Sequence, residues 1–133
     1  MLARIAYFSR SLIGGWSPDL LDIARVALAR NASLDVTGAL YFDRLRFFQM
    51  LEGERATLDA LMLGIAADPR HLDLQVLIEG PIRVRRFGRW HMRFIDGDAH
   101  DRLASAVPEP ASPGDASRLA DRAERFVEAL AAH

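Results

Sequence analysis

The chain has 133 residues, a length that fits one domain, and half of them are hydrophobic, enough for a genuine core. A net charge of −1 gives no reason to expect nucleic acid or an acidic membrane surface as a partner, and the lack of cysteine excludes disulfides, thiolate nucleophiles and thiol-rich metal sites. All 17 basic residues are arginine, which removes Schiff-base and lysine-nucleophile chemistry. No apolar run approaches the roughly 18 residues of a membrane span. The opening MLARIAYFSRS lacks a long apolar stretch and a small-residue cleavage site, so a cytoplasmic protein is expected. The charge is uneven. Residues 1–95 carry 13 Arg against 10 acids and residues 96–133 carry 4 Arg against 8, so an acidic tail can dock on a mildly basic body.

ARIAYFS (3–9) alternates and predicts a strand, with Ile5, Tyr7 and Ser9 on one face and Ala6 and Phe8 on the other. Gly14, Gly15 and Trp16 break the chain. Ser17, Pro18 and Asp19 then supply an N-cap, a proline at the first helical position and an acid in the first turn. Leu20, Leu21, Ile23, Ala24, Ala27 and Leu28 follow at helical spacing, which predicts a helix to about Asn31. VTGALYFD (36–43) and RFFQMLEG (46–53) read as two strands of a hairpin turning over Asp43 to Arg46. Glu54 to Ala67 reads as a second helix with Leu58, Leu61, Met62 and Ile65 on one face, ended at Asp68 by Pro69. LDLQVLIEGPI (72–82) is a strand interrupted near its end by Pro81, and RWHMRFI (89–95) is a further strand.

The order βαββαβ plus one more strand is the ferredoxin-like split βαβ pattern, an α+β fold with two helices on one face of an antiparallel sheet. Large apolar residues point to both faces: Phe47, Gln49 and Leu51 one way, Phe48 and Met50 the other. The second face therefore needs a cover, either the C-terminal segment or another subunit in a homo-oligomer. Residues 106–114 are rich in Pro, Ala and Ser and read as a linker. Ser112, Pro113 and Asp115 make a helix start of capping-box type, and Leu119, Ala123, Phe126, Val127 and Leu130 line one face to the end. Residues 1–95 thus read as the body, and residues 96–133 as a linker and amphipathic helix capping it.

Gln49 stands in an apolar run, where an unpartnered buried amide costs about 1–3 kcal/mol. Its parity puts it with Tyr7 under the two helices, close to Asn31 at the end of the first. Trp90 and Met92 share a face of the last predicted strand. Taken singly, each has a plainer reading: Tyr7 as a residue at the core edge, Asn31 as a helix C-cap, Trp90 and Met92 as core. Arg83, Arg85, Arg86, Arg89 and Arg93, interleaved with aromatics, read as a solvated edge or as an RNA-binding strand. His71, His91, His100 and His133 lack the i, i+4 spacing of a metal pair, so no metal is expected. Glu52 and Glu54 flank Gly53, as a carboxylate pair or, for Glu54, as an acid at a helix start.

Jointly, AYFS with Tyr7 and Ser9, RN with Asn31, then VTGALYF, FFQMLEG, DPRH and RRFGRWHM resemble the BLUF family, a blue-light receptor module that uses a flavin. The resemblance spans residues 1–95. It implies a ferredoxin-like fold with FAD, or FMN or riboflavin, bound non-covalently between the two helices, and no enzymatic activity. It implies that Tyr7 donates an electron and a proton to the excited flavin and that Gln49 bridges Tyr7 and the flavin. It further implies that Asn31 binds the flavin's polar edge and that Ser9, Arg30, Arg70 and His71 lie around the cofactor. Trp90 and Met92 would couple the pocket to the outside, with the inward one of the two left open. The implied partner is a downstream signalling protein, a cyclic-nucleotide enzyme or a transcription regulator. The chain departs from the pattern at Arg30, where relatives often carry Asn or His, and at Gly64, where a basic side chain often approaches the flavin tail. An amide offers one donor end and one acceptor end, so Gln49 can exchange them without creating charge. With no cysteine present, a light response has to rest on hydrogen-bond rearrangement. A small enzyme of acylphosphatase type and an RNA-binding module remain the alternative readings.

Overall fold

The computed structural model describes residues 1–14, 17–110 and 116–133. In chain order it forms β1 (Leu2–Ser11), α1 (Pro18–Ser33), β2 (Thr37–Phe42), β3 (Arg46–Glu54), α2 (Arg55–Ala67), β4 (His71–Pro81), β5 (Arg93–Asp96), a 3₁₀ turn (Gly97–Ala99), α3 (Asp101–Ala106) and α4 (Ala116–Ala132). Local signals account for the boundaries. The Leu20 N–H donates to the Ser17 hydroxyl at 3.3 Å and Pro18 opens α1, as its cap sequence dictates. Pro69 leaves Asp68 extended and α2 stops there. Asp43 turns the β2–β3 hairpin by accepting the N–H groups of Leu45 and Arg46 at 2.9 and 2.8 Å.

The strands lie in the order β4-β1-β3-β2-β5. Neighbours among β4, β1, β3 and β2 are antiparallel, while β5 runs parallel to β2, so the sheet is mixed rather than antiparallel throughout. Tyr7 stands directly opposite Gln49, and the β1–β4 register slips immediately beside Tyr7. Gly38 is obligatory where β2 meets β3, because a Cβ there would sit 1.9 Å from the Met50 carbonyl oxygen.

Parity sorts the core into two layers, as expected. Ile5, Leu40, Phe47 and Leu51 pack under the helices with Leu20, Leu58 and Leu61. Phe8, Tyr41, Phe48 and Met50 face the other way, against Leu103, Phe126, Val127 and Leu130. The ring of Phe126 meets Tyr41 and Phe48 edge-on at centroid distances of 5.2 and 5.0 Å. The second face is therefore covered by the chain's own C-terminal helices, and that face does not call for a second copy. Ion pairs hold the acidic segment to the basic body: Arg4 with Glu124, and Glu109 with Arg10 at 3.2 Å and Arg46 at 3.5 Å.

Two expectations are corrected. The last strand is Arg93–Asp96 and not 89–95, because the Trp90 N–H turns back to the Phe87 carbonyl at 3.0 Å and breaks the extension. Trp90 and Met92 therefore lie in the loop before β5 and do not share a strand face. The short helix α3 carries no strong periodic signal in the sequence. The Gly15–Trp16 break and the capping sequence Ser112, Pro113 and Asp115 lie outside the described residues.

Candidate functional site

A cleft of about 130 Å³ opens above the sheet between α1 and α2. Its walls are apolar: Ile23, Val26 and Ala27 from α1, Ile65 from α2, Leu40 and Phe47 from the sheet. Set into these walls are Tyr7, Gln49, Arg30, Asp68, Arg70 and His71. Arg70 pairs with Asp22 in the first half of α1 at 3.1 Å. Arg30 follows Asp22 by eight residues, a rise of roughly 12 Å along the helix. The two cations thus mark opposite ends of the cleft.

The Tyr7 hydroxyl donates to Gln49 Oε1 at 2.5 Å, with both residues buried. Burial pushes the Tyr7 phenol well above its ordinary range, the Arg30 charge pulls it down and the Asp68 charge pushes it up. Gln49 directs its Nε2 end at Met92 Sδ, 3.8 Å away. A thioether is a weak acceptor, so the donor end of this buried amide retains unused capacity on the cleft side.

Of the two candidate couplers, Met92 is the inward one at 4% exposed, whereas Trp90 is 37% exposed and stacks on the Arg93 guanidinium. Asn31 is fully buried but is not on the cleft wall. Its Nδ2 donates to the His91 carbonyl at 2.9 Å, and its Oδ1 accepts from Arg30 at 3.3 Å. It fastens the loop before β5 to the end of α1. Burial lowers the Arg30 pKa, opposed by the Tyr7 phenol, and among the described residues Arg30 has no carboxylate partner. His71 bridges α2 and β1: Nε2 donates to the Ile65 carbonyl at 2.6 Å, and Nδ1 meets the Ser9 hydroxyl at 2.7 Å. Since a carbonyl only accepts, Nε2 carries a proton, and Nδ1 shares a hydrogen bond with the Ser9 hydroxyl. Ser9 itself is buried behind His71.

Sequence reasoning missed Asp68. Its carboxylate takes the Arg70 guanidinium at 2.8 Å and the Arg70 N–H at 2.9 Å, and with Asp22 it raises the Arg70 pKa. The signal was available, since Asp-Pro-Arg is an Asx-turn sequence. Glu52 does not form a carboxylate pair with Glu54. It is 1% exposed and points to the opposite sheet face, whereas Glu54 is exposed and binds the N-terminal amine.

Apolar walls, an amide with spare donor capacity and a cation without a carboxylate partner suit a flat heterocycle with a polar edge, which is the shape and chemistry of an isoalloxazine ring. Fold and cleft together define a small α+β module with a site for such a group. The family model described as "Sensors of blue-light using FAD" matches residues 2–93, and the chain belongs to this family, BLUF. It is 40% identical over 116 residues to the photoactivated adenylate cyclase subunit beta of Euglena gracilis, covering 83% of this chain and 12% of that protein. It is 36% identical over 81 residues to the blue light- and temperature-regulated antirepressor BluF of Escherichia coli K12, covering 61% of this chain and 20% of that one. The chain thus spans a small part of these curated relatives. Among solved structures, BlrB, a BLUF protein in its dark state, superposes with a TM-score of 0.76 at 31% identity, covering 93% of this chain and 96% of the other. The photo-activated state of BlsA shares the fold, with a TM-score of 0.80 at 24% identity and coverage of 98% and 95%.

Proposed function

We propose that Tyr7, Gln49 and Met92 form the switch of this flavin-based blue-light sensor, with FAD as the bound cofactor. The observation that carries the reading is the buried chain from the Tyr7 hydroxyl through the Gln49 amide, both on the cleft wall, to Met92 behind them. Arg30 and Gln49 are the residues that would meet the polar edge of the ring, and His71 and Arg70 those that would lie toward its tail. Bound flavin supplies blue-light absorption and an excited state that accepts an electron. A phenol kept neutral by burial would give its electron and its proton together to that group, and Gln49 Oε1, which accepts the phenol's hydrogen bond, would hold the hydroxyl in place for the transfer. Reversing the amide presents Nε2 to Tyr7 and Oε1 to Met92, which changes the contact that positions the loop before β5.

The output element in this reading is residues 96–133, bound to the sheet by Phe126 and by the Glu109 and Glu124 ion pairs. The chain itself acts as a sensor without catalysis, in the cytoplasm, and signals to a separate protein, either a cyclic-nucleotide enzyme or a transcription regulator. Among the described residues no helix is long and apolar enough to cross a membrane. The RNA-binding alternative loses support because Phe87 is buried and Trp90 stacks on Arg93, leaving no row of free aromatic faces. Chromatography of the flavin released on denaturation distinguishes FAD from FMN and riboflavin. Hydrogen exchange in darkness and under blue light tests the output element: protection across 96–133 is expected to change, and identical protection in both states refutes that role.

A further inference from the structure

We infer that Glu52 is a positioning residue for the light switch, holding the loop that presents Met92 to Gln49. This rests on the switch proposed above. Glu52 lies three residues after Gln49 on β3, so alternation sends the two side chains to opposite faces of the sheet. The Glu52 carboxylate is buried and fully engaged. Oε2 accepts the Arg86 N–H at 2.6 Å, while Oε1 accepts the Phe87 N–H at 2.9 Å and the Thr37 hydroxyl at 2.9 Å. The Phe87 side chain is then buried in the layer under α4. From that clamp the chain crosses the sheet edge, bonded by Gly38 N–H to the Trp90 carbonyl at 3.2 Å and by Asn31 to the His91 carbonyl, and delivers Met92 to Gln49 on the helix face. One strand therefore grips both ends of a seven-residue segment, 86–92: Gln49 at Met92 and Glu52 at Arg86 and Phe87. Glu52 fixes where Met92 sits, and through Phe87 it ties that position to the C-terminal cover.

The carboxylate spends a separate oxygen on each backbone N–H. Glu52→Gln keeps the shape but has a single acceptor oxygen, so at least one of the two N–H groups faces another donor. The test compares wild type, Glu52→Gln, Met92→Ala and the double variant by flavin content, light-minus-dark absorbance and dark-recovery rate. Flavin content is expected to stay at the wild-type ratio, and recovery in Glu52→Gln to change by about tenfold or more, because hydrogen bonds to a buried charge are among the stronger ones. In the Met92→Ala background the same substitution should add little, because Glu52 acts through Met92. A purely structural role predicts lower thermal stability with unchanged recovery, or effects of the two substitutions that simply multiply; either result overturns the assignment. Should Glu52→Gln fail to hold flavin, Thr37→Val removes one donor to Glu52, together with an acceptor of Arg85 that still has the Glu52 carbonyl and Asp35, and keeps the Glu52 charge. About a threefold change in its recovery that disappears with Met92→Ala supports the role, and no change rejects it. A wild-type protein without any light response would instead overturn the switch reading beneath it.

Discussion

Asp43 closes the β2–β3 hairpin and holds Arg46, which reaches Glu109 and the Ala104 carbonyl of the C-terminal cover, and Asp43→Asn tests how much that network contributes. The carboxylate is 6% exposed and accepts five hydrogen bonds: the N–H groups of Leu45 and Arg46 on Oδ1, and the Tyr41 hydroxyl and the Nε and Nη2 of Arg46 on Oδ2 at 2.7, 3.0 and 2.8 Å. In the variant, the amide oxygen keeps the two backbone donors and the NH₂ group replaces Oδ2. Tyr41 can turn its hydroxyl and accept, but the guanidinium has no acceptor to offer. Arg46, 18% exposed, retains Glu109 and the Ala104 carbonyl, so the cost falls at or below the low end for breaking a buried pair, about 2–3 kcal/mol. For a chain of this size that corresponds to a fall in Tm of roughly 8–12 °C. The effect is pH-dependent. Burial pushes the Asp43 carboxyl up, but hydrogen bonds from Arg46, Tyr41 and the Leu45 N–H outweigh it and leave it below the ordinary carboxylate range. Its contribution is therefore present above the unfolded carboxylate value of about 3.9 and is lost as pH falls through the lower folded value. Urea unfolding at pH 7, 5 and 3.5 should show a constant gap between wild type and variant at the two higher values and a smaller gap at the lowest. A gap under about 1 kcal/mol at pH 7, or one that does not shrink in acid, refutes the reasoning.

Phe126→Ala should destabilise by about 3–5 kcal/mol in urea titration while a folded fraction still binds flavin, because Phe126 lies on the sheet face away from the cleft. Loss of flavin from a folded variant would contradict that separation of faces. Gly64 stands inside α2 on the cleft wall, and a Cβ there meets nothing within 4 Å. Gly64→Ala should therefore stabilise the flavin-free protein by up to about 1 kcal/mol in thermal denaturation. Gly64→Arg adds a cation to the cleft, and equilibrium titration should show FAD and FMN bound more tightly relative to riboflavin.

Helices α1, α2 and α4 and the first four strands were legible because each carries its own local signal: the Ser17 cap, Pro69 after α2, the apolar stripe from Leu119 to Leu130, and period-two runs in β1 and β3. Parity grouped Tyr7 with Ile5 and Ser9, and Gln49 with Phe47 and Leu51; that these groups face the helices is a property of the fold. What parity could not show is the course of residues 82–92, where RWHMRFI alternates like a strand. Its backbone is instead directed by distant partners: Glu52 for Arg86 and Phe87, Asn31 for His91 and Gly38 for Trp90. The same limit applies to Asn31, whose position at the end of α1 was evident but whose buried amide fastens a loop sixty residues away. The choice between Trp90 and Met92 likewise depended on that loop. The acidic tail was visible as a charge imbalance, whereas its pairing of Glu109 with both Arg10 and Arg46 is a product of the tertiary fold.

The proposed switch places the light response at Gln49. The most direct measurement is the light-minus-dark absorbance spectrum of Gln49→Leu loaded with flavin. The substitution leaves the buried Tyr7 hydroxyl without its acceptor, at a cost of about 1–3 kcal/mol that the fold can absorb. Flavin bound at the wild-type ratio with no light-induced red shift is the predicted result. A reversible red shift of wild-type size in this variant would contradict the role assigned to Gln49.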